Sequence, residues 1–225
     1  RRVYLSVTET LEVGRFPVIL GGDHSIAAGS IAAVSKRHSG NIGVIWIDAH
    51  GDWNSEESTC TGNMHGMPFS AVCGYGPDCM VEFGQGAAPV NVAHCVQVGG
   101  RDIDDLERQR MAQAGVTVFP INMIDKLGMG AVIERAIQIA GEGTDGIHLS
   151  FDVDAITPEA VPGTGVIVYN GLTPREAFLA AEAIAESRKL ISMDMVEVNP
   201  FLDTANKSGI LASELIQSAL GKSVY

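Results

Sequence analysis

The sequence predicts an α/β fold with a mainly parallel sheet. Six short apolar runs are typical of strands, and helical patterns lie between most of them. Several runs lack alternating polar residues, which is typical of strands that helices cover on both faces of a parallel sheet. The predicted strands are 18–20, 44–47, 96–98, 116–119, 147–151 and 191–196.

Helical patterns alternate with these strands along the chain. The first residues read as a helix that leads into the first strand, and further helices are predicted at 25–38, 105–114, 126–140, 173–188 and 208–220. The helix at 173–188 has the clearest start, because Thr173 can cap it, Pro174 suits its first turn and Glu176 completes a capping box. No internal repeat or low-complexity linker interrupts the pattern, so residues 1–225 are expected to form a single domain.

The composition argues against two classes of partner. Fifteen basic residues against twenty-seven acidic ones give a net charge of −12, which disfavours nucleic acid and anionic membranes. No apolar run approaches the roughly 18 residues of a membrane span. The four cysteines form no CxxC pair, so we expect reduced thiols in a cytoplasmic protein.

Acidic and imidazole side chains follow four of the predicted strands. Open parallel sheets bind ligands outside the carboxyl ends of their strands, so these positions are where a site is expected. The stretches are GGDHS after the first strand, DAHGDWN after the second, SFDVD at the fifth and MVEVNP at the sixth. Each one alone could be an ordinary turn or helix cap.

Taken together, these stretches predict a metal centre. Four carboxylates near one point would repel one another unless protons or a cation compensate them, and alternate residues of an extended segment point the same way. Two ions that share bridging carboxylates fit this set better than one. Oxygen ligands with some imidazole favour Mn²⁺ over Zn²⁺, although Co²⁺ or Ni²⁺ would also fit. The candidate ligands are His24, Asp48, His50, Asp52, Asp152 and Asp154.

Two metal ions roughly 3.5–4 Å apart can hold a bridging water and lower its pKa to about 7. Hydroxide is then available at neutral pH. The pattern therefore predicts a binuclear hydrolytic centre.

The five motifs GGDHS, DAHGDWN, TGNMHGMP, SFDVD and MVEVNP, in this order, resemble the ureohydrolases, and among them the arginase family of bacteria. The resemblance covers essentially the whole chain. It implies a three-layer α/β/α fold of the arginase/deacetylase type and two Mn²⁺ per subunit. It also implies that L-arginine is hydrolysed to L-ornithine and urea by a metal-bridging hydroxide, in a homotrimer or homohexamer.

The resemblance assigns roles to individual residues. It implies that His24, Asp48, Asp52 and Asp152 hold one ion, and that Asp48, His50, Asp152 and Asp154 hold the other. Asp52 would also orient the hydroxide. Glu197 would pair with the substrate guanidinium, and His65 would relay a proton to the leaving amine. The remaining histidines (His38, His94 and His148) lie outside the motifs and are expected on the surface or in core packing.

The far end of the substrate separates arginine from agmatine, which has no α-carboxylate. In the family, neutral donors on the loop after DxHxD hold that carboxylate, and Asn54, Thr61 and Asn63 match them. Asp104 and Glu107 match the acidic residues that hold the α-amine. This set resembles arginase more than agmatinase, because unpaired donors would penalise a substrate without a carboxylate.

Two departures from the family pattern leave alternatives open. Val166 stands where a threonine hydroxyl normally faces the substrate, and Ile167 replaces a proline. The several dozen residues that usually precede this segment, with their early strands, are expected to be missing. The alternatives are therefore an agmatinase or another guanidino-compound ureohydrolase, and a catalytically silent relative that binds metal.

Overall fold

Six parallel strands form one sheet in the computed structural model, which describes residues 1–81 and 86–222. The strand order is β1–β6–β5–β2–β3–β4. Each predicted run forms a strand, and its bounds move by at most one residue at either end, so the predicted fold class is confirmed. The strands are β1 (Val18–Leu20), β2 (Gly43–Ile47), β3 (Cys95–Val98), β4 (Thr117–Phe119), β5 (Ile147–Asp152) and β6 (Leu190–Val196).

Helices connect the strands on both sides of the sheet. No helix among the described residues is long and apolar enough to cross a bilayer. Their bounds are α1 (Arg2–Glu12), α2 (Ala27–Arg37), α3 (Pro68–Val72), α4 (Asp78–Val81), α5 (Asp105–Ala114), α6 (Ile121–Leu127), α7 (Met129–Gly141), α8 (Pro174–Ser187) and α9 (Lys207–Ala219).

The predicted helices agree with the structure except near residue 128. At α8 the predicted capping box is present, with the Thr173 hydroxyl accepting from the Glu176 N–H and the Glu176 carboxylate accepting from the Thr173 N–H. The predicted helix at 126–140 is instead divided between α6 and α7. Gly128 separates them with a φ of +80°, which glycine adopts without the steric cost that a Cβ would add. The short helices α3 and α4 were not predicted, because four or five residues are too few to show a helical period.

Two apolar layers cover the sheet. Along β2, Ile45 and Ile47 pack into a core with α7, α8 and α9, whereas Val44 and Trp46 pack on the opposite face with α1, α2 and α3. The backbone of β2 also approaches α7 closely, since a Cβ at Gly43 would overlap the carbonyl oxygen of Ala140. The resulting three-layer sandwich holds the carboxyl ends of β2, β5 and β6 side by side.

Candidate metal centre

The carboxyl ends of the two central strands provide the floor of the site. Asp48 follows β2, and Asp152 ends β5, which pairs directly with β2. The side chains of Asp48, Asp152 and Asp154 are almost completely buried. Strand pairing therefore brings together carboxylates that are about a hundred residues apart in the sequence.

The first group of ligand atoms surrounds His24, in the 3₁₀ turn that follows β1. Its Nδ1 lies 3.2 Å from Oδ2 of Asp48, 3.1 Å from Oδ2 of Asp52 and 3.1 Å from Oδ2 of Asp152. Trp46 stacks on the imidazole with ring centroids 4.2 Å apart, which fixes the ring plane. Three carboxylate oxygens therefore lie close to one imidazole nitrogen.

The second group lies beside the first and shares Asp48 with it. Nδ1 of His50 is 3.3 Å from Oδ1 of Asp48 and 3.2 Å from Oδ2 of Asp154. Ligand atoms of Asp48, His50 and Asp154 lie within 4.8 Å of one another, as do those of His24, Asp48 and Asp152. Asp48 thus presents one oxygen to each group.

Backbone hydrogen bonds orient the carboxylates. Oδ1 of Asp48 accepts from the N–H of His50 at 2.7 Å, and Oδ1 of Asp152 accepts from the N–H of Asp154 at 2.8 Å. The segment from Asp48 to Asp52 does not keep an extended backbone to its end, because Asp52 has a left-handed φ of 48°. A non-glycine residue in that region is uncommon and is concentrated at functional sites.

The surroundings shift the pKa values of both imidazoles upward. Burial works to lower the pKa of His24, but the three aspartates around Nδ1 outweigh it and raise the pKa well above 6.5. Burial likewise opposes protonation of His50, yet the carboxylates of Asp154 and Asp48 raise its pKa to about 12. The site therefore favours positive charge at both positions.

The carboxylates show the corresponding conflict. Burial, together with the charges of Asp154 and Asp48, raises the pKa of Asp152 well above its usual value. Burial and the charge of Asp48 also raise the pKa of Asp52 to about 7 and raise that of Asp154. For Asp48, the two histidines outweigh burial and lower the pKa.

These residues fit a pair of cations. Within the described chain, the buried Nδ1 of His24 has no hydrogen-bond partner, although three carboxylate oxygens lie close to it. An imidazole lone pair among carboxylates is a donor set that divalent metals bind, and metal charge would resolve the repulsion among the aspartates. The shared Asp48 makes a bridged pair a better fit than two separate ions.

A pocket of about 250 Å³ opens above this floor. Its wall includes Glu197, whose Oε1 accepts from the N–H of His24 at 2.7 Å and lies 3.7 Å from Nδ1 of His65. The Glu197 carboxylate raises the pKa of His65 above 6.5, although burial opposes this. Atoms of Glu197, His65 and Asp23 also lie within 4.8 Å of one another, so the pocket carries acceptors above the floor as well.

The predicted substrate contacts all line this pocket. Thr61 and Asn63 are exposed, whereas Asn54 is buried and its Oδ1 accepts from the Ser58 hydroxyl at 2.8 Å. The Glu107 carboxylate accepts backbone N–H groups at 2.8 and 3.2 Å, and burial is the main reason that its pKa rises to about 7. The pocket wall also includes Asp104, Cys60 and Val166.

Several supporting residues were not predicted. Gln97 donates to the carbonyl oxygens of Asp48 and His50 at 3.0 and 2.9 Å. Arg101 donates from its guanidinium to four carbonyl oxygens, two on the floor at residues 154 and 155 and two on the loop at residues 168 and 169. Their contacts are long-range, so no local pattern predicts them.

The three histidines outside the motifs lie away from the pocket. Nδ1 of His38 lies 3.1 Å from the exposed Asp145 carboxylate, and His94 contacts the carbonyl oxygen of Ile139 at 3.2 Å. His148 is completely buried and contacts Asp194 at 3.0 Å. The position of His148 within the apolar strand β5 is the sequence feature that indicates a buried hydrogen-bond network there.

Comparisons with known proteins agree with this geometry. A family model described as the arginase family matches residues 1–221. The chain is 42% identical over 217 residues to an arginase of Bacillus caldovelox, covering 96% of this chain and 72% of the relative. It is 44% identical to an arginase of Staphylococcus aureus strain COL, covering 97% of this chain and 72% of the relative. The solved native arginase structure from B. caldovelox superposes with a TM-score of 0.97 at 40% identity, covering 100% of this chain and 75% of the other.

Proposed function

Because the chain belongs to the arginase family, we propose that it hydrolyses L-arginine to L-ornithine and urea. The observation that carries the proposal is the pair of ligand groups that share Asp48 on the floor of the pocket. Agmatine and other guanidino compounds are the alternative substrates. The alternative without catalytic activity is a relative that binds metal but turns over no substrate.

The pocket floor would hold two Mn²⁺ ions, and Co²⁺ or Ni²⁺ suit the same donors. When bound, the ions supply positive charge that lowers the pKa of water and provides a nucleophile at neutral pH. The first ion would be held by His24, Asp48, Asp52 and Asp152, and the second by Asp48, His50, Asp152 and Asp154. The distances around His24 support its place beside Asp48, Asp52 and Asp152, and those around His50 support its place beside Asp48 and Asp154. The place of Asp152 beside His50 rests on the family resemblance alone.

The chain's own residues would then orient the reactants. Glu197 binds the guanidinium, a pairing that a planar cation and a carboxylate form with two parallel hydrogen bonds. Its oxygen is already fixed by the N–H of His24. Asp52 accepts a hydrogen bond from the attacking water and so orients its lone pair toward the guanidinium carbon.

Proton transfer to the leaving group is the role of His65. As the oxygen adds to the guanidinium carbon and the carbon–nitrogen bond to ornithine breaks, the departing amine must gain a proton. The Glu197 carboxylate raises the pKa of His65, which favours the charged imidazole that can supply that proton. Nδ1 of His65 lies 3.7 Å from Oε1 of Glu197, which supports a role beside the guanidinium.

Recognition of the amino-acid end would come from the pocket rim. Asn54, Thr61 and Asn63 would donate to the α-carboxylate, and Asp104 with Glu107 would attract the α-amine. The Glu107 oxygens already accept two backbone N–H groups, which fixes the carboxylate in the pocket wall. The protein would act in the cytoplasm as a homotrimer or homohexamer.

The test is urea release after Mn²⁺ loading, with L-arginine and agmatine assayed in parallel. We expect arginine turnover, and its loss in Asp48→Ala. Turnover of agmatine alone would instead assign an agmatinase. Bound metal with no turnover of either substrate would support the silent relative.

A further inference from the structure

Buried polar side chains lie behind the floor, on the face of the sheet that packs against α2. The register pairs His148 with Ser192 and Ser150 with Asp194 across β5 and β6. All four residues are completely buried. Buried polar groups are costly unless they are hydrogen-bonded, so their hydrogen-bond partners define their role.

The centre of this network is Asp194. Its Oδ1 accepts from the Ser150 hydroxyl at 2.5 Å, and its Oδ2 accepts from the Ser30 hydroxyl at 2.8 Å. Nε2 of His148 lies 3.0 Å from the same Oδ2. Burial works to raise the pKa of Asp194, but His148 above all outweighs it and the pKa is lowered. Asp194 therefore remains an ionised acceptor with three donors.

This arrangement fixes the direction of the next hydrogen bond. The Ser150 hydroxyl has one proton, which it donates to Asp194. Its oxygen lies 2.8 Å from Nε2 of His24, so it must accept the proton that Nε2 carries. When a cation takes the place of the proton on Nδ1 of His24, the lone pair of Nδ1 would be free to bind that cation.

We infer that Asp194, acting through Ser150, is a positioning residue that fixes the tautomer of His24 and so sets the affinity of the ion held with Asp48 and Asp152. The inference rests on the metal centre of the proposed function. It concerns one of the two ions, because the hydrogen bonds of this network in the described part of the chain lead to His24 and not to His50 or Asp154. Partners behind a ligating histidine commonly change metal affinity by 10–100-fold.

Asp194→Asn tests the direction of these hydrogen bonds with almost no change of volume. Ser30 and His148 both donate to the Oδ2 position, so the amide oxygen should remain there and the amide NH₂ should face Ser150. The Ser150 hydroxyl must then donate to Nε2 of His24. That forces the imidazole proton onto Nδ1, where it opposes a cation.

The measurement is Mn²⁺ binding to the full chain, by titration and by metal content after desalting. For Asp194→Asn we expect affinity at one of the two sites to fall by roughly 10–100-fold, leaving one ion per subunit. Electron paramagnetic resonance of the loaded protein should change from the signal of a coupled manganese pair to that of a single ion. Both readouts are independent of turnover.

Ser192→Ala is the matched control. Ser192 contacts Nδ1 of His148 at 2.7 Å, on the side of the network away from Ser150, so its loss leaves the bond to His24 unchanged. We expect it to bind two ions as the wild type does. Ser150→Ala is the second test variant, needed if Asp194→Asn fails to fold, because it removes the acceptor of the Nε2 proton directly.

The outcomes separate the two proposals. Weakened binding of one ion in Asp194→Asn or Ser150→Ala, with Ser192→Ala unaffected, supports the inference even if the wild type turns over no arginine. Two ions at wild-type affinity in folded Asp194→Asn and Ser150→Ala would overturn it and leave the proposed function intact. Equal loss in all three variants would also overturn it, by showing a structural role only.

Discussion

The floor and the rim of the pocket are built differently. On the floor, the carboxylates of Asp48 and Asp152 are 0% and 2% exposed, and backbone N–H groups fix them at the ends of neighbouring strands. On the rim, loops carry Thr61, Asn63 and Val166, which are exposed to water. The sheet therefore fixes the geometry of the candidate metal centre, whereas loops carry the residues proposed to contact the rest of the substrate.

Arg101 connects these two regions. Its guanidinium donates to the carbonyl oxygens of Asp154 and Ala155 on the floor and to those of Val168 and Tyr169 on the loop. Arg101 therefore holds the backbone of the loop at Val168 and Tyr169 to the floor. We therefore expect substitutions on the floor to abolish the reaction and substitutions on the rim to adjust its specificity.

The largest effect is expected for Asp48→Ala, because Asp48 is shared by both ligand groups. Metal ions supply several kcal/mol of charge stabilisation, which at 1.36 kcal/mol per tenfold corresponds to a loss of roughly 10³-fold or more in turnover. Urea release and metal content measure it together. The rim variant Thr61→Ala is the control and should keep most of its turnover. Wild-type activity in Asp48→Ala would show that the ligand groups of the floor are not needed for the reaction.

A smaller loss is expected for Glu197→Gln, on the wall between floor and rim. A hydrogen bond to a charged group contributes about 1.5–3 kcal/mol, so kcat/KM for arginine should fall by roughly 10–100-fold. The amide can still accept from the N–H of His24, which keeps the local fold. An unchanged kcat/KM would mean that the guanidinium binds elsewhere.

The same variant should lower the pKa of His65 in the metal-free protein. In the wild type, Glu197 raises this pKa above 6.5. The stability from the pair is therefore fully present below pH 6.5 and is lost as the pH rises through the raised pKa. An NMR titration of the imidazole measures the shift. The same pKa in both proteins would show that another group controls His65.

Strand periodicity explains why the floor could be predicted from the sequence. The candidates His24, Asp48, His50, Asp152 and Asp154 all follow or end strands, and parallel strands bring such positions to one edge. The left-handed turn at Asp52 was beyond this reasoning, because it depends on the loop conformation.

The partners of single side chains could not be predicted in the same way. Glu107 was expected near the substrate amine, but no local pattern showed that its carboxylate also accepts the N–H of Trp53, 54 residues away in the sequence. Likewise, Ser150 and Asp194 are polar residues in apolar strands, and only the register of β5 and β6 pairs them. Contacts between distant loops and strands carry no local signal.

On the rim, Asn63→Ala should distinguish arginine from agmatine. Losing one hydrogen bond typically costs about 1 kcal/mol, so KM for arginine should rise by roughly fivefold while kcat changes little. Agmatine lacks the carboxylate, so its KM should stay the same. Steady-state kinetics with both substrates measure the difference. Equal increases for both would show that Asn63 shapes the loop rather than binding the carboxylate.

The smallest effect is expected for Val166→Thr, which restores a hydroxyl to the lining of the pocket. A net hydrogen bond is worth about 1 kcal/mol, so kcat/KM for arginine should rise by at most about fivefold. Val166 is 39% exposed, and competition from water should reduce the gain further. Ile167→Thr is the matched control, since Ile167 is 50% exposed and lies outside the lining formed by the described residues. A fall in kcat/KM for Val166→Thr alone would mean that the rim contacts the aliphatic part of the substrate there. The contrast between floor and rim would then include an apolar contact that determines specificity.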